Sequence, residues 1–156
     1  MTGTPETDAL WARLSPAAEA AVAVVDAERL ELERARLSPE RREAVTEPVY
    51  CVRRRFEAWE RLGRILEVGP RPEEFYPFSA YENDLDGRDA LAEVMDGFPP
   101  AVRAELAGLL DALDARFGAA TDQDVTGALD PWLRTARGRA PQAHVWWWRV
   151  PKSAPW

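Results

Sequence analysis

The densest grouping of metal-competent side chains lies in the stretch YENDLDGRDALAEV, where Glu82, Asp84, Asp86, Gly87 and Glu93 fall at positions 1, 3, 5, 6 and 12 of a calcium-binding loop. Calcium asks for several hard oxygens around one turn, a glycine at the sharp bend and a late carboxylate binding through both oxygens. Three features depart from that pattern. The first ligand is Glu rather than Asp, Asp89 stands where an apolar residue belongs, and the preceding Phe/Pro/Tyr-rich segment does not read as an entering helix. Helix capping accounts for the same residues with fewer requirements. Asp86 would accept from the backbone N–H of Asp89, and the acidic groups would sit at the positive end of the helix dipole. No metal or other cofactor is expected.

Cys51 and His144 are the only residues of their types, so a Cys/His zinc cluster within the chain is excluded and a Cys/His nucleophile pair has no supporting motif. Cys51 reads as a small buried thiol, and His144 as a packed or solvated ring beside the Trp cluster. The sequence lacks GxxxxGK[ST], GxGxxG, HExxH and GxSxG, which removes sequence support for phosphate loops, dinucleotide sites, zincin sites and nucleophile elbows. An enzyme working through carboxylates in a pocket beneath the aromatic loop stays open, with no catalytic residue singled out. Arg53, Arg54, Arg55, Arg61 and Arg64 could meet phosphates, but Glu57, Glu60 and Glu67 share their segment and read as ion-pair partners on a solvent face. A nucleic-acid-associated regulator using Arg53, Arg54, Arg55 and Arg61 is the first alternative, set back by the net charge of −7.

Aromatic residues carry the strongest functional signal. Four of the seven tryptophans, Trp146, Trp147, Trp148 and Trp156, fall within VWWWRVPKSAPW, and Phe75, Tyr76, Phe78 and Tyr81 crowd VGPRPEEFYPFSAYEN. Four docked indoles bury on the order of 15 to 25 kcal/mol of apolar transfer free energy as an upper bound. Such a tail must cover something, either the protein's own helices or a partner, since Trp is enriched at interface hot spots. The partner-binding candidates are therefore Phe75, Tyr76, Phe78, Tyr81, Trp146, Trp147, Trp148 and Trp156, with Asp84 and Asp86 steering a basic partner surface.

The 156 residues suit one domain, with 46% hydrophobic and 30% charged residues, as in ordinary globular proteins. No run of 18 apolar residues occurs, and MTGTPETDAL lacks the basic and apolar regions of a secretory signal. With a single cysteine, these features lead us to expect a cytoplasmic protein without membrane association. Nineteen Arg against one Lys, and abundant Ala, point to a high-GC bacterial gene.

Thirteen prolines punctuate the chain. Residues 1–14 read as a frayed or short helical start with a turn around Leu10, Trp11 and Leu14, residues 15–137 as the helical domain, and residues 138–156 as the Trp-rich tail. Ser15-Pro16 opens a helix to about Leu37, whose imperfect apolar side (Val22, Val25, Leu30, Leu32) could support a homodimer. Ser38-Pro39 opens a brief helix through Val45. Thr46-Glu47-Pro48 opens a third, to about Glu67, with Val49, Val52, Phe56, Trp59, Leu62 and Leu66 at helical spacing. A loop then runs to a short helix capped by Asp86 and ending near Gly97. A last helix from Pro100 to about Phe117, carrying Val102, Leu106, Leu109, Leu110, Leu113 and Phe117, should pack on the third and end at Gly118. Asp130-Pro131 caps a turn containing Trp132 and Leu133, and the tail after Gly138 reads as extended. Little or no sheet is expected, so the predicted class is all-α: a single compact domain of about five helices.

From Asp86 onward, GRDAL, FPP, LDARF and the Trp-rich close resemble uncharacterised small helical proteins of high-GC bacteria over roughly the last seventy residues. The resemblance implies a compact helical unit whose Trp-rich end belongs to the fold, and it brings no activity and no site residues. A small, acidic, motif-poor helical domain fits a protein-binding regulatory or accessory role, including an inhibitor or immunity-type protein.

Overall fold

Ser15 shows how this chain opens a helix. Its backbone is extended (φ −69°, ψ 155°), its side chain accepts from the Ala18 N–H, and Pro16 supplies a first-turn residue that needs no hydrogen bond. The computed structural model describes residues 5–69, 75–129, 131 and 144–156. Among these are six α-helices, α1 Pro5–Trp11, α2 Pro16–Arg34, α3 Pro39–Arg42, α4 Val52–Val68, α5 Phe78–Asp96 and α6 Pro100–Ala120, and two short strands, β1 Thr121–Gln123 and β2 Arg149–Pro151. The class is all-α, as the periodicity predicts.

Several boundaries differ from the sequence reading, each for a local reason. The third predicted helix starts at Val52 rather than Pro48, because the Asp26 carboxylate receives the Val52 N–H at 2.9 Å and Glu33 receives that of Val49. Val49 is accordingly 57% exposed and leaves the stripe, whereas Val52, Phe56, Trp59, Leu62 and Leu66 are all buried. α5 begins at Phe78, directly after Pro77, so much of the predicted aromatic loop is helical and Asp86 lies mid-helix rather than at a cap. α6 continues through Gly118, where a Cβ would meet nothing, and stops where Thr121 donates its hydroxyl to the Phe117 carbonyl at 2.8 Å. All six predicted apolar residues of α6 are buried. Of the expected turn, Asp130, Trp132 and Leu133 fall outside the described residues, as does the tail from Gly138 to Ala143.

Two compact units emerge, one from Met1–Glu57 and Leu91–Leu110, the other from Ala58–Ala90 and Asp111–Trp156, with α4, α5 and α6 contributing to both. In the first, Trp11 meets Phe56 edge to face at 5.5 Å, and Ser15 gives both its N–H and its hydroxyl to Glu105 at 2.8 Å each. Arg34 closes the return after α3 by donating Nε and Nη2 to the Val45 carbonyl. In the second, Trp59 of α4 packs on Phe117 of α6 with centroids 4.6 Å apart, the pairing expected of the two strongest stripes. The tail joins this unit as an antiparallel strand. β2 pairs with β1 in the register Thr121↔Pro151, Asp122↔Val150 and Gln123↔Arg149, flanked by Asp124 N–H to the Trp148 carbonyl and Lys152 N–H to the Ala120 carbonyl.

Candidate functional site

The second unit gathers most of the aromatic residues, and one carboxylate explains how. Asp89 of α5 accepts from the indole N–H of Trp146 at 2.8 Å and from that of Trp147 at 3.0 and 2.9 Å. A buried indole donor requires such a partner. The neighbouring Arg88 lies with its guanidinium carbon 4.1 Å from the Trp146 ring centre and 6.0 Å from that of Trp59, while Asp114 takes its Nε and Nη2 at 3.0 and 2.7 Å. Asp114 also receives the Trp59 indole N–H at 2.8 Å. His144 extends the column by stacking on Trp146 at 4.4 Å, its planes 13° apart. These contacts hold the short 3₁₀ turn Val145–Trp148 and bury Trp146 and Trp147 within this unit.

The partner-binding candidates thus separate by accessibility. Tyr76, Tyr81, Asp84, Trp146 and Trp147 are buried; Phe78, Asp86 and Trp148 are half-buried; Phe75 is 90% and Trp156 43% exposed. Trp156 packs edge-on against Phe78 at 5.1 Å and lies 5.5 Å from Tyr81, whose hydroxyl donates to the Arg149 carbonyl at 3.0 Å. Arg149 in turn binds Thr121 and the Gly118 carbonyl, which fastens β2 beneath the aromatic patch.

Beside Phe75 opens a surface cavity of about 430 Å³, lined by Arg61, Arg64, Ile65, Gly69, Phe75, Tyr76, Ala80 and Pro155. Under it the Tyr76 hydroxyl donates to Asp84 at 2.7 Å, and Arg61 approaches the other Asp84 oxygen at 3.6 Å. Burial drives the Asp84 carboxyl above its usual range, the Tyr76 and Arg61 contacts offsetting this only in part, and burial beside Asp84 drives the Tyr76 phenol far up as well. Asp84 lies beneath the surface and does not offer a steering charge. Among the described lining residues, the charged ones are Arg61 and Arg64, both partly exposed.

The calcium-like positions Glu82, Asp84, Asp86 and Glu93 lie along the continuous helix α5. Asp84 points about 200° away from Glu82 and Asp86, and Glu93 lies about 10 Å further along the axis than Asp86, so the four carboxylates cannot close around one ion. Among the described residues no group of three or more His, Cys, Asp or Glu could hold a metal ion. Arg53 pairs with Asp8 and Glu57, Arg54 with Glu47, and Arg55 donates to the Tyr50 carbonyl, so the triple arginine is spent on the first unit's own acidic and carbonyl groups. Cys51 precedes α4 half-buried, and desolvation pushes its thiol up, away from thiolate reactivity. No helix among the described residues is long and apolar enough to cross a membrane.

Sequence reasoning did not single out Arg88 and Asp89, and although it raised a pocket beneath the aromatic loop it did not bring Arg61 and Arg64 to Phe75. The only sequence signal at Asp89 was its misfit with the calcium pattern. No protein-family model matches the chain, and no curated protein or solved structure matches it at a significant level.

Proposed function

We propose that this is a protein-binding regulatory or accessory protein that presents Phe75 and Trp156 to its partner, in the manner of an inhibitor or immunity-type protein. The observation that carries this reading is a pair of exposed aromatics on the second unit, Phe75, 90% exposed, and Trp156, 43% exposed and held against Phe78 and Tyr81. Aromatics on a fixed platform lose little conformational entropy on binding and supply the anchors typical of hot spots. Trp146, Trp147, Tyr76 and Tyr81 serve as the platform rather than as contacts. The net charge of −7 favours encounter with basic surfaces at long range.

The test is capture of a stoichiometric partner from an extract of the source organism by the parent chain and by Phe75→Ala and Trp156→Ala. Loss of capture in either variant, with its melting temperature within about 2 °C of the parent, supports the reading. Equal capture by all three chains removes the patch from it.

One observation favours a second reading, an enzyme without a recognisable motif: a carboxyl with a raised pKa under a cavity. Against it, Asp84 does not line the cavity, and one of its oxygens accepts from the Tyr76 hydroxyl while the other faces Arg61 at 3.6 Å. The ion-paired arginines of α4 give the nucleic-acid reading no comparable support.

A further inference from the structure

The cavity beside Phe75 combines two arginines with apolar residues in its lining. Arg61 and Arg64 stand three residues apart on α4, so their side chains rise from neighbouring places on one helix face. Their side chains are 55% and 43% exposed, and each touches its acidic neighbour, Asp84 or Glu60, only at 3.6 Å. That is longer than a guanidinium–carboxylate hydrogen bond. Both acidic neighbours are buried and committed elsewhere, Asp84 to the Tyr76 hydroxyl at 2.7 Å and Glu60 to Arg116 at 3.0 Å. Each guanidinium carries five N–H donors, more than these contacts occupy. Ile65 of the same helix, with Phe75 and Ala80, adds hydrocarbon and an aromatic ring to the lining. The volume of about 430 Å³ falls in the range of sites for small organic ligands.

We propose that this cavity binds an apolar carboxylate, its anionic head between Arg61 and Arg64 and its hydrocarbon part against Ile65, Phe75 and Ala80. A single negative charge fits better than a phosphate dianion. Each arginine already lies 3.6 Å from a buried carboxylate, Asp84 or Glu60, and this nearby negative charge opposes a dianion more than a monoanion. The apolar wall adds affinity that a small inorganic anion cannot use. The carboxylate has two sources of the same chemistry, a free organic acid or the terminal carboxylate of a peptide ending in an apolar residue. The proposal does not depend on partner capture through Trp156.

Titration of the full chain with phenylacetate, followed by backbone amide NMR shifts and by calorimetry, tests it. Saturable shifts centred on Arg61, Arg64 and Ala80 are expected, with phenylacetamide, the uncharged analogue, binding at least about tenfold more weakly. Arg61→Gln and Arg64→Gln, both at partly exposed positions, should each weaken phenylacetate by about tenfold while the spectrum stays folded. A short peptide ending in Phe with a free carboxylate, compared with its amidated form, separates the sources: tighter binding of the acid peptide than of phenylacetate assigns a chain end, the reverse a free acid. Equal binding of acid and amide, shifts that do not saturate, or parent-like affinity in both Gln variants would overturn the proposal. Displacement of phenylacetate by an equal concentration of inorganic phosphate would overturn its preference for a carboxylate.

Discussion

Asp89 carries the docking of the Trp-rich segment, because a single carboxylate serves two indole donors that would otherwise be buried without partners. Asp89→Ala is expected to cost about 2 to 6 kcal/mol, since each stranded N–H costs about 1 to 3 kcal/mol. Thermal unfolding checks the size and near-ultraviolet circular dichroism the site, as loss of fixed Trp146 and Trp147 should flatten the indole bands. Asp84 makes a prediction about pH. Its carboxyl is raised in the folded state by burial, so its contribution to stability is fully present below the unfolded value and is lost as pH rises through the folded one. Asp84→Asn keeps an acceptor for the Tyr76 hydroxyl without the buried charge. The variant should therefore gain most over the parent near pH 7, and that advantage should shrink toward about pH 4.5. A melting-temperature difference independent of pH would refute this account. Neither residue's role was legible in sequence: an acidic side chain on a helix is ordinarily solvated, and only the fold brings indoles or a phenol to it.

Among the elements, α4 and α6 were the most legible, since a buried helical face writes itself into the sequence as apolar residues at steps of three and four. Their ends were less so. Val49 continues the spacing yet is exposed, because side chains of α2, Glu33 and Asp26, take the backbone N–H groups of Val49 and of Val52, the first residue of α4. The contrast is measurable: Phe56→Ala should cost about 3 to 5 kcal/mol and Val49→Ala less than about 0.5 kcal/mol, by chemical denaturation with unchanged slopes. α5 escaped full recognition because Gly87 and six acidic residues interrupt its apolar pattern, although burial of Tyr81, Leu85, Leu91 and Met95 sustains it.

At the scale of the molecule, the Trp-rich segment belongs to the fold of the second unit. A chain lacking residues 144–156 loses Trp146, Trp147 and β2 together. It is expected to unfold with lower cooperativity and to expose surface that binds a hydrophobic dye. A sharp, parent-like transition in the truncated chain would show instead that the segment is an appendage. Composition and periodicity by themselves determined the all-α class, the two principal amphipathic helices and the exclusion of an internal disulfide framework and a Cys/His zinc cluster, because these depend on residue counts and local spacing alone. Tertiary structure alone decided which aromatics are platform and which are surface. It also turned the calcium-like run into a helix and set Arg61 and Arg64 beside Phe75. Accessibility and partnership arise between segments far apart in the chain, and no local pattern records them.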